Sequence, residues 1–557
     1  MKSKFTWILT LCLAFFIQFS FAQEKTISGT VTSIVDNMSI PGVNITVKGA
    51  ENRGTQTDFD GKFTIKAAAG ETLIVSMVGS VTQFVVVGAS NVVNVQLQED
   101  SITLEGVVVE GYGKTSTKAK SNVASTTIGA ETIGARPNAS FVQTMQSQIA
   151  GVDIKTGSGQ PGAQSLVIIR GIGSLNGKVE PLYVIDGVPQ SGDNFRSINP
   201  DEIESASVLL DAGATAIYGN RGANGVIVVK TKRAGFDTPL KISYTSTTGF
   251  STRQDDSYNM MNSQQLLTLE RTKGEGAGAN GGLPYIEYVD GQPITIPSTG
   301  VPLTDAQIAA YGSTDWNDYF YRTGTTISHN LGLTSGSKNV STYTNFGYFE
   351  QEGILINTDL QRFNFRSNVD GKSDNDKFRY GTNISVNFSK NNSATNLGTG
   401  AINQNYVIGA QQSVPYISPN QYVNGTQVLD LYNADGTLVY TPLMLVDKSK
   451  TFLNVAEEVK AITSFSASYE IIPGLTLSEN LGIDYTQVTG LQYQDPAAFN
   501  SLIFQQAAGQ YLGLDAENFQ RDITFDNTLS LDYAKTFGLN TISATVYTEY
   551  VTSFLKS

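Results

Sequence analysis

The sequence predicts a mainly β protein in three parts: a small β-sandwich, an α+β domain, and the first part of a transmembrane antiparallel β-barrel. Three observations predict it. Short β-branched runs separated by turn residues fill about residues 24–100. The middle part closes on small residues and glycines followed by Val226-Ile227-Val228-Val229. From residue 240 onward, apolar and polar residues alternate over one stretch after another. The composition agrees, since 25 Tyr, 27 Phe and 54 Gly among 557 residues suit pleated surfaces joined by many turns. A chain of this length should hold several domains, because single cores seldom grow far past roughly 250 residues.

Several function classes drop out early. The net charge of -13 argues against nucleic acid, whose phosphates need clustered Lys and Arg. At the N-terminus, Lys2 and Lys4 precede an apolar run over residues 5–16, and Ser20-Phe21-Ala22 offers small residues for cleavage after Ala22. Residues 1–22 therefore read as a signal peptide, with a retained membrane anchor as the alternative. The single cysteine, Cys12, lies inside that segment, so the exported protein has no thiol chemistry. The single histidine, His329, sits in an alternating segment as a lumen- or surface-facing strand residue, leaving no multi-histidine metal site or Ser-His-Asp relay. Arg170-Gly171-Ile172-Gly173-Ser174 lacks the third glycine of a dinucleotide loop, and no Walker lysine-serine pair occurs. No catalytic residue, cofactor or metal is expected, and the protein is not read as an enzyme.

The first block, residues 24–100, alternates strands such as KTISGTVTS, GVNITVKG and GKFTIKA with turns. Asp58-Phe59-Asp60-Gly61 reads as a hairpin turn rather than a calcium loop, since the acid spacing of an EF-hand is absent. Through Ile27-Ser28-Gly29-Thr30-Val31, the run over residues 41–49 and the run over residues 57–63, the block resembles the carboxypeptidase-regulatory-like domain, a transthyretin-like β-sandwich.

The linker, residues 101–119, carries an isolated apolar triplet, Val107, Val108 and Val109, in polar surroundings. It suits an extended peptide that adds to another protein's sheet edge, or else an ordinary strand of the neighbouring domain. It resembles the segment of TonB-dependent transporters that holds the energising TonB box, with Gly106 and Glu110 departing from the usual pattern and Tyr112 and Gly113 keeping its register.

The second block, residues 120–235, mixes helix and strand signals. Phe141, Met145 and Ile149 stand at helical spacing before Gly151, and Pro200 followed by Asp201-Glu202-Ile203-Glu204 predicts another helix start. VDIKTG, QSLVIIRG, PLYVIDGVP and GVIVVKTKR read as strands. The stretch INPDEIESASVLLDAGATAIYGNRGANGVIVVKTK resembles the plug domain of SusC/RagA-family outer-membrane transporters. Its signature residues here are Asp186, Gly187, Tyr218, Gly219, Gly222 and Gly225, while Leu210 and Gly213 depart from it. Small residues such as Ala212-Gly213-Ala214 let backbones approach closely in a crowded lumen. The resemblance further implies that Arg170 and Arg221 pair with barrel-wall carboxylates; the alternative is a solvated loop arginine at each position.

The third block, residues 240–557, repeats the pattern of residues 378–388, where Phe378, Tyr380, Ile384, Val386 and Phe388 alternate with Arg379, Gly381, Asn383, Ser385 and Asn387. Short turns alternate with long polar stretches at about 252–325, 391–457 and 490–520, as in an outer-membrane barrel. About nine strands are expected, fewer than a plugged barrel needs, so the chain reads as the N-terminal part of a longer protein. The resemblance then implies TonB-dependent import of oligosaccharides or peptides across the outer membrane of a Gram-negative bacterium. Its partners would be TonB with its inner-membrane proton-driven complex and a SusD-like surface lipoprotein. A signalling surface receptor is the alternative, although no extra signalling domain fits between signal and linker; a surface adhesin is a third reading, but it would not need a plug.

Overall fold

The computed structural model describes residues 25–557 apart from 35–37, 78–82, 98–106, 112–113, 118–124, 135–139, 157, 164, 175–178, 191–197, 212–214, 256–257, 290–291, 395–404, 437, 504–512 and 538–539. The signal segment with Cys12, the linker residues Gly106, Tyr112 and Gly113, and Ala212-Gly213-Ala214 lie outside the described residues. The chain divides into two compact units, residues 1–107 with 117–120 and residues 108–116 with 121–557.

The first unit is a two-sheet sandwich. One sheet has the order β4-β1-β7, from β1 (Lys25–Ser33), β4 (Lys62–Ala67) and β7 (Val95–Leu97); the other has β3-β2-β5-β6, from β2 (Asn44–Val47), β3 (Ala50–Gln56), β5 (Thr72–Ser76) and β6 (Gln83–Val86). Alternate residues turn inward, so Ile27, Val31, Ile45, Phe63, Leu73, Val75 and Leu97 make one buried core. The sequence reading does not anticipate β3, whose composition AENRGTQ is poor in β formers. It forms a sheet edge, where charge is usual, and Arg53 pairs there with Glu71 at 2.9 Å. Asp58 closes its turn by accepting from the backbone N–H of Asp60 and Lys62 at 3.0 and 2.8 Å.

The linker holds two short strands paired with each other, β8 (Val107–Gly111) and β9 (Lys114–Thr117). The backbone of Val107, Val108 and Val109 is thus extended.

The plug contains a five-stranded sheet of order β10-β15-β16-β13-β14 and a separate hairpin of β11 (Val152–Thr156) and β12 (Ser165–Ile169). The sheet strands are β10 (Ser125–Gly129), β13 (Leu182–Ile185), β14 (Val188–Gln190), β15 (Ile203–Leu209) and β16 (Val226–Thr231). Two expectations are corrected here. The helix read at Asp201 is a single 3-10 turn, Pro200–Glu202, leading directly into β15. Pairing on both sides, with β10 and β16, overrides the local helix-start signal. Phe141, Met145 and Ile149 are all buried, but only Phe141–Thr144 is helical, capped by Ser140. Turns carry the rest of that segment to Gly151.

The wall is a nine-stranded antiparallel sheet of order β17-β20-β21-β22-β23-β24-β25-β26-β27. Its strands are β17 (Lys241–Ser251), β20 (Gly324–Gly336), β21 (Val340–Glu352), β22 (Asp359–Lys372), β23 (Phe378–Asn392), β24 (Phe452–Ile472), β25 (Leu475–Gln494), β26 (Leu514–Phe537) and β27 (Asn540–Lys556). Its amphipathicity is inverted relative to a soluble sheet. Phe363 and Phe388, neighbours in the register, are 55% and 52% exposed on the outer face, while Asn364 and Asn387 opposite one another are buried on the inner face. That is the order a lipid-facing wall around a polar interior requires. β24, β25 and β26 run 21, 20 and 24 residues, well past the 9–11 or so that cross the hydrocarbon, so they rise beyond it.

The long stretches between wall strands are not merely polar loops. They hold a small hairpin of β18 (Tyr285–Val289) with β19 (Gln292–Ile296) and helices including Ser263–Lys273, Gly425–Asp435 and Thr441–Thr451. Leu267, Trp316, Phe320, Tyr406, Met444 and Phe499, drawn from three different loops, share one apolar core. The loops therefore form a folded cap on the rim that faces outward in barrels of this kind.

Candidate functional site: the plug held by the wall

The inner face of the wall meets the plug through an alternating run of charges. β13 and β14 turn through Asp186 and Gly187 at φ 47° and 89°, the mirror-image turn that Asp-Gly favours in two-residue hairpins. The Asp186 carboxylate accepts from Thr231 N at 3.0 Å and from Thr231 Oγ1 at 2.6 Å. Arg366 of β22 reaches Asp186 at 3.6 Å and donates from Nε to Glu202 Oε2 at 2.7 Å. Arg233, just past β16, approaches Asp186 at 3.8 Å and pairs with Asp370 of β22. It also donates to Asn383 of β23 at 3.0 Å. The order is plug Glu202, wall Arg366, plug Asp186, plug Arg233, wall Asp370.

Burial sets the worth of this run. The side chains of Arg366 and Glu202 are 2% and 0% exposed. Charges so far from water are tolerated only as partners of one another, and loss of either leaves the other uncompensated. Amides extend the contact: Asn368 donates to Thr231 Oγ1 at 2.9 Å and to Lys232 O at 2.8 Å. Asn199 donates to Asn330 of β20 at 2.6 Å, and Asn330 donates in turn to Asp201. Burial pushes the Asp201 carboxyl above its usual range, opposed by the positive charges of Lys232 and Arg362.

Close approach completes the fit. At Gly482 of β25 a Cβ would stand 2.5 Å from Val188 Cγ1, so only glycine lets the plug hairpin lie there. Ile462 of β24 joins the plug's own apolar core. Among the described residues no group of three or more His, Cys, Asp or Glu could hold a metal ion.

Residues 117–226 match the TonB-dependent Receptor Plug Domain, and residues 27–109 match the CarboxypepD_reg-like domain. TonB-dependent receptor P3 of Formosa agariphila is 34% identical over 536 residues, covering 94% of this chain and 47% of that protein. TonB-dependent receptor SusC of Bacteroides thetaiotaomicron is 26% identical over 555 residues, covering 96% of this chain and 51% of that one. The RagAB peptide importer in its open-open state superposes with a TM-score of 0.64 at 25% identity, over 80% of this chain and 49% of that chain. The chain belongs to the SusC/RagA family of TonB-dependent receptors. It spans about half the length of the curated relatives it matches. Membership places it in the outer membrane, with the nine-stranded sheet as barrel wall. Among the described residues no helix is long and apolar enough to cross a membrane.

The residues that the SusC/RagA resemblance singles out meet different fates. Tyr218 is buried with Val184, Leu209, Val226 and Val228. Gly219 and Gly222 lie in the 3-10 segment Ala216–Gly222, with Gly222 packed under Thr215. Gly225 has φ 90°, and a Cβ on it would meet Ile169 Cδ1 at 2.8 Å, so the glycine before β16 is dictated twice over. Arg221 donates to both carboxylate oxygens of Glu549 on β27, with side chains 35% and 23% exposed. Arg170, expected to pair with a wall carboxylate, instead stands exposed at φ 55° with no ion-pair partner among the described residues. Val107, Val108 and Val109 lie in β8, and His329 points to the outer face beside Tyr244, whose hydroxyl is 2.9 Å from its Nδ1.

Sequence reasoning missed Arg366 and Glu202. The signal was present in β22, where Arg362, Asn364, Arg366 and Asn368 share the face opposite Phe363 and Phe365. Arginines on the inward face of a wall require carboxylates inside it.

Proposed function

We propose that this chain forms the plug and part of the barrel of a TonB-driven outer-membrane importer of oligosaccharides or peptides. The observation that carries the reading is the run of charges between plug and wall. A plug has to seal the lumen at rest and yet shift when pulled. Directional ion pairs suit that task, because a small displacement breaks them together, whereas a continuous apolar contact slides. Three further features support the reading. Val107, Val108 and Val109 provide an extended strand for another protein's sheet edge. The cap presents a folded surface on the outer rim, where a SusD-like lipoprotein would lie. RagAB, a relative in fold and sequence, is a peptide importer by name.

The test removes Val107, Val108 and Val109 from the full-length protein. Uptake should stop while surface binding of substrate persists. Undiminished uptake would move the TonB contact elsewhere.

A further inference from the structure

The outer face of the wall treats its cations unevenly. On the half nearer the cap, Lys390 of β23 pairs with Glu457 of β24 at 3.1 Å. Arg521 of β26 and Lys556 of β27 stand directly opposite one another in the register. Neither has an acidic partner among the described residues. On a lipid-facing surface an uncompensated cation is costly, so two side by side call for a counter-charge.

Arg521 is held in place rather than stretched toward water. Its guanidinium lies over the Phe519 ring, 5.1 Å from the centroid, and its Nη2 donates to Gln487 Oε1 of β25 at 3.4 Å. Its Nε is shielded from solvent and has no acceptor. The same Gln487 oxygen accepts from the Tyr485 hydroxyl at 2.8 Å, which leaves the Gln487 NH2 group as a donor. Gln487, Arg521 and Lys556 thus form one registered row that offers donors and no carboxylate. The next outward row, toward the short turns, is Tyr485, Ile523 and Phe554. Along β26 the apolar face continues through Phe525, Leu529 and Leu531 to Tyr533, interrupted at Asn527, which donates to Glu479 of β25. The run from Ile523 to Tyr533 matches the roughly 9–11 residues that cross the hydrocarbon. On the cap side of Arg521, Glu517 and Asp515 are exposed. Arg521 therefore stands where acyl chains give way to headgroups in the outer leaflet.

We propose that Gln487, Arg521 and Lys556 bind the phosphate of an outer-leaflet lipid whose acyl chains lie over Tyr485, Ile523 and Phe554. The proposal rests on the outer-membrane placement of the wall and is independent of the import reading. A guanidinium, an ammonium and an amide NH2 in one row supply the charge-assisted donors that phosphate oxygens take. The apolar row beside them covers hydrocarbon. A lipid phosphate uses both rows at once, whereas a free phosphate uses only the first and an uncharged lipid only the second. An acidic protein segment reaching this depth would leave its own backbone groups unsatisfied against lipid.

The experiment uses the purified, delipidated full-length protein in detergent and native mass spectrometry. The probe is diphosphoryl lipid A, with the same lipid stripped of its phosphates and inorganic phosphate as comparators. Wild type should retain diphosphoryl lipid A saturably and bind both comparators at least about tenfold more weakly. Losing the guanidinium should weaken retention about tenfold, so Arg521→Gln should do so, and adding Lys556→Gln should weaken it further. Arg521→Lys, which keeps a cation, should hold most of the affinity. All three variants should keep the heat-modifiable migration of a folded barrel, which separates lost binding from misfolding. Equal retention of the dephosphorylated lipid, or retention indifferent to these variants, would overturn the proposal and leave Arg521 as a cation that merely reaches the headgroup layer. Inorganic phosphate binding as tightly as the lipid would make the row a plain anion site and also overturn it. So would an Arg521→Gln protein that keeps its lipid but loses self-association, since the occupant would then be a second copy of the chain.

Discussion

Arg366 and Arg221 both bridge plug and wall, but from opposite sides and in different surroundings. Arg366 projects inward from β22 and meets plug carboxylates with almost no water nearby. Arg221 projects outward from the plug and meets Glu549 on β27, where about a third of its side chain is exposed. At a buried pair the partners' desolvation dominates, so removing one costs about 3–5 kcal/mol. An exposed pair is screened, and is worth about 0.2–1 kcal/mol. Among the described residues, the β22 contact is thus the buried one and the β27 contact the more exposed.

The sharpest way to break that conclusion is Arg366→Ala in the full-length protein. It strands Glu202, removes one of Asp186's two arginines, and should cost about 3–5 kcal/mol of plug docking. Outer membranes carrying it should admit vancomycin, an antibiotic too large for porins. Replacing both Arg366 and Glu202 with leucine should recover part of the seal, since an apolar pair carries no unpaired charge. An intact barrier in Arg366→Ala would show that the ion run does not hold the plug.

Steric contact ranks next. Gly482→Leu puts side-chain atoms where Val188 already lies and should cost about 1–3 kcal/mol, read as a smaller rise in vancomycin entry. Arg221→Ala should rank third, with a leak that in wild type grows slightly as salt screens the pair. A leak from Arg221→Ala as large as that from Arg366→Ala would mean that burial does not rank these contacts.

The difference also explains what the sequence could show. Period-2 alternation and turn residues are local, so the wall strands and their short turns were legible from residue 240 onward. The helix expected at Asp201 was a local signal defeated by non-local pairing of β15 with β10 and β16. The cap was invisible for the same reason: Trp316, Tyr406 and Phe499 are unremarkable apart and form a core only when three loops meet. Glu202 looked like a helix-opening acid, and nothing nearby in the chain identifies Arg366, 164 positions on, as its partner. Arg221 was singled out by the resemblance of its stretch to the SusC/RagA plug domain.

Arg170 supplies the smallest expected effect and the cleanest control. The same resemblance that picked out Arg221 picked it out as a plug-to-wall contact. Its backbone, however, occupies the left-handed region at φ 55°, while its N–H donates to Gly151 O at 2.8 Å. A non-glycine residue held there carries strain on the order of 1 kcal/mol. Glycine would relieve that strain while adding about 0.5–1 kcal/mol of backbone entropy to lose on folding, so the two nearly cancel. Arg170→Gly should therefore leave plug docking and vancomycin exclusion within error of wild type, while Arg170→Val, β-branched at positive φ, should be the more disruptive change. If Arg170 instead holds the wall through its charge, both variants should leak alike and Arg170→Lys should rescue them. Backbone geometry and charge thus give different outcomes for Arg170→Gly, silent in the first case and as leaky as Arg170→Val in the second, and the measured leak decides which of them matters at this position.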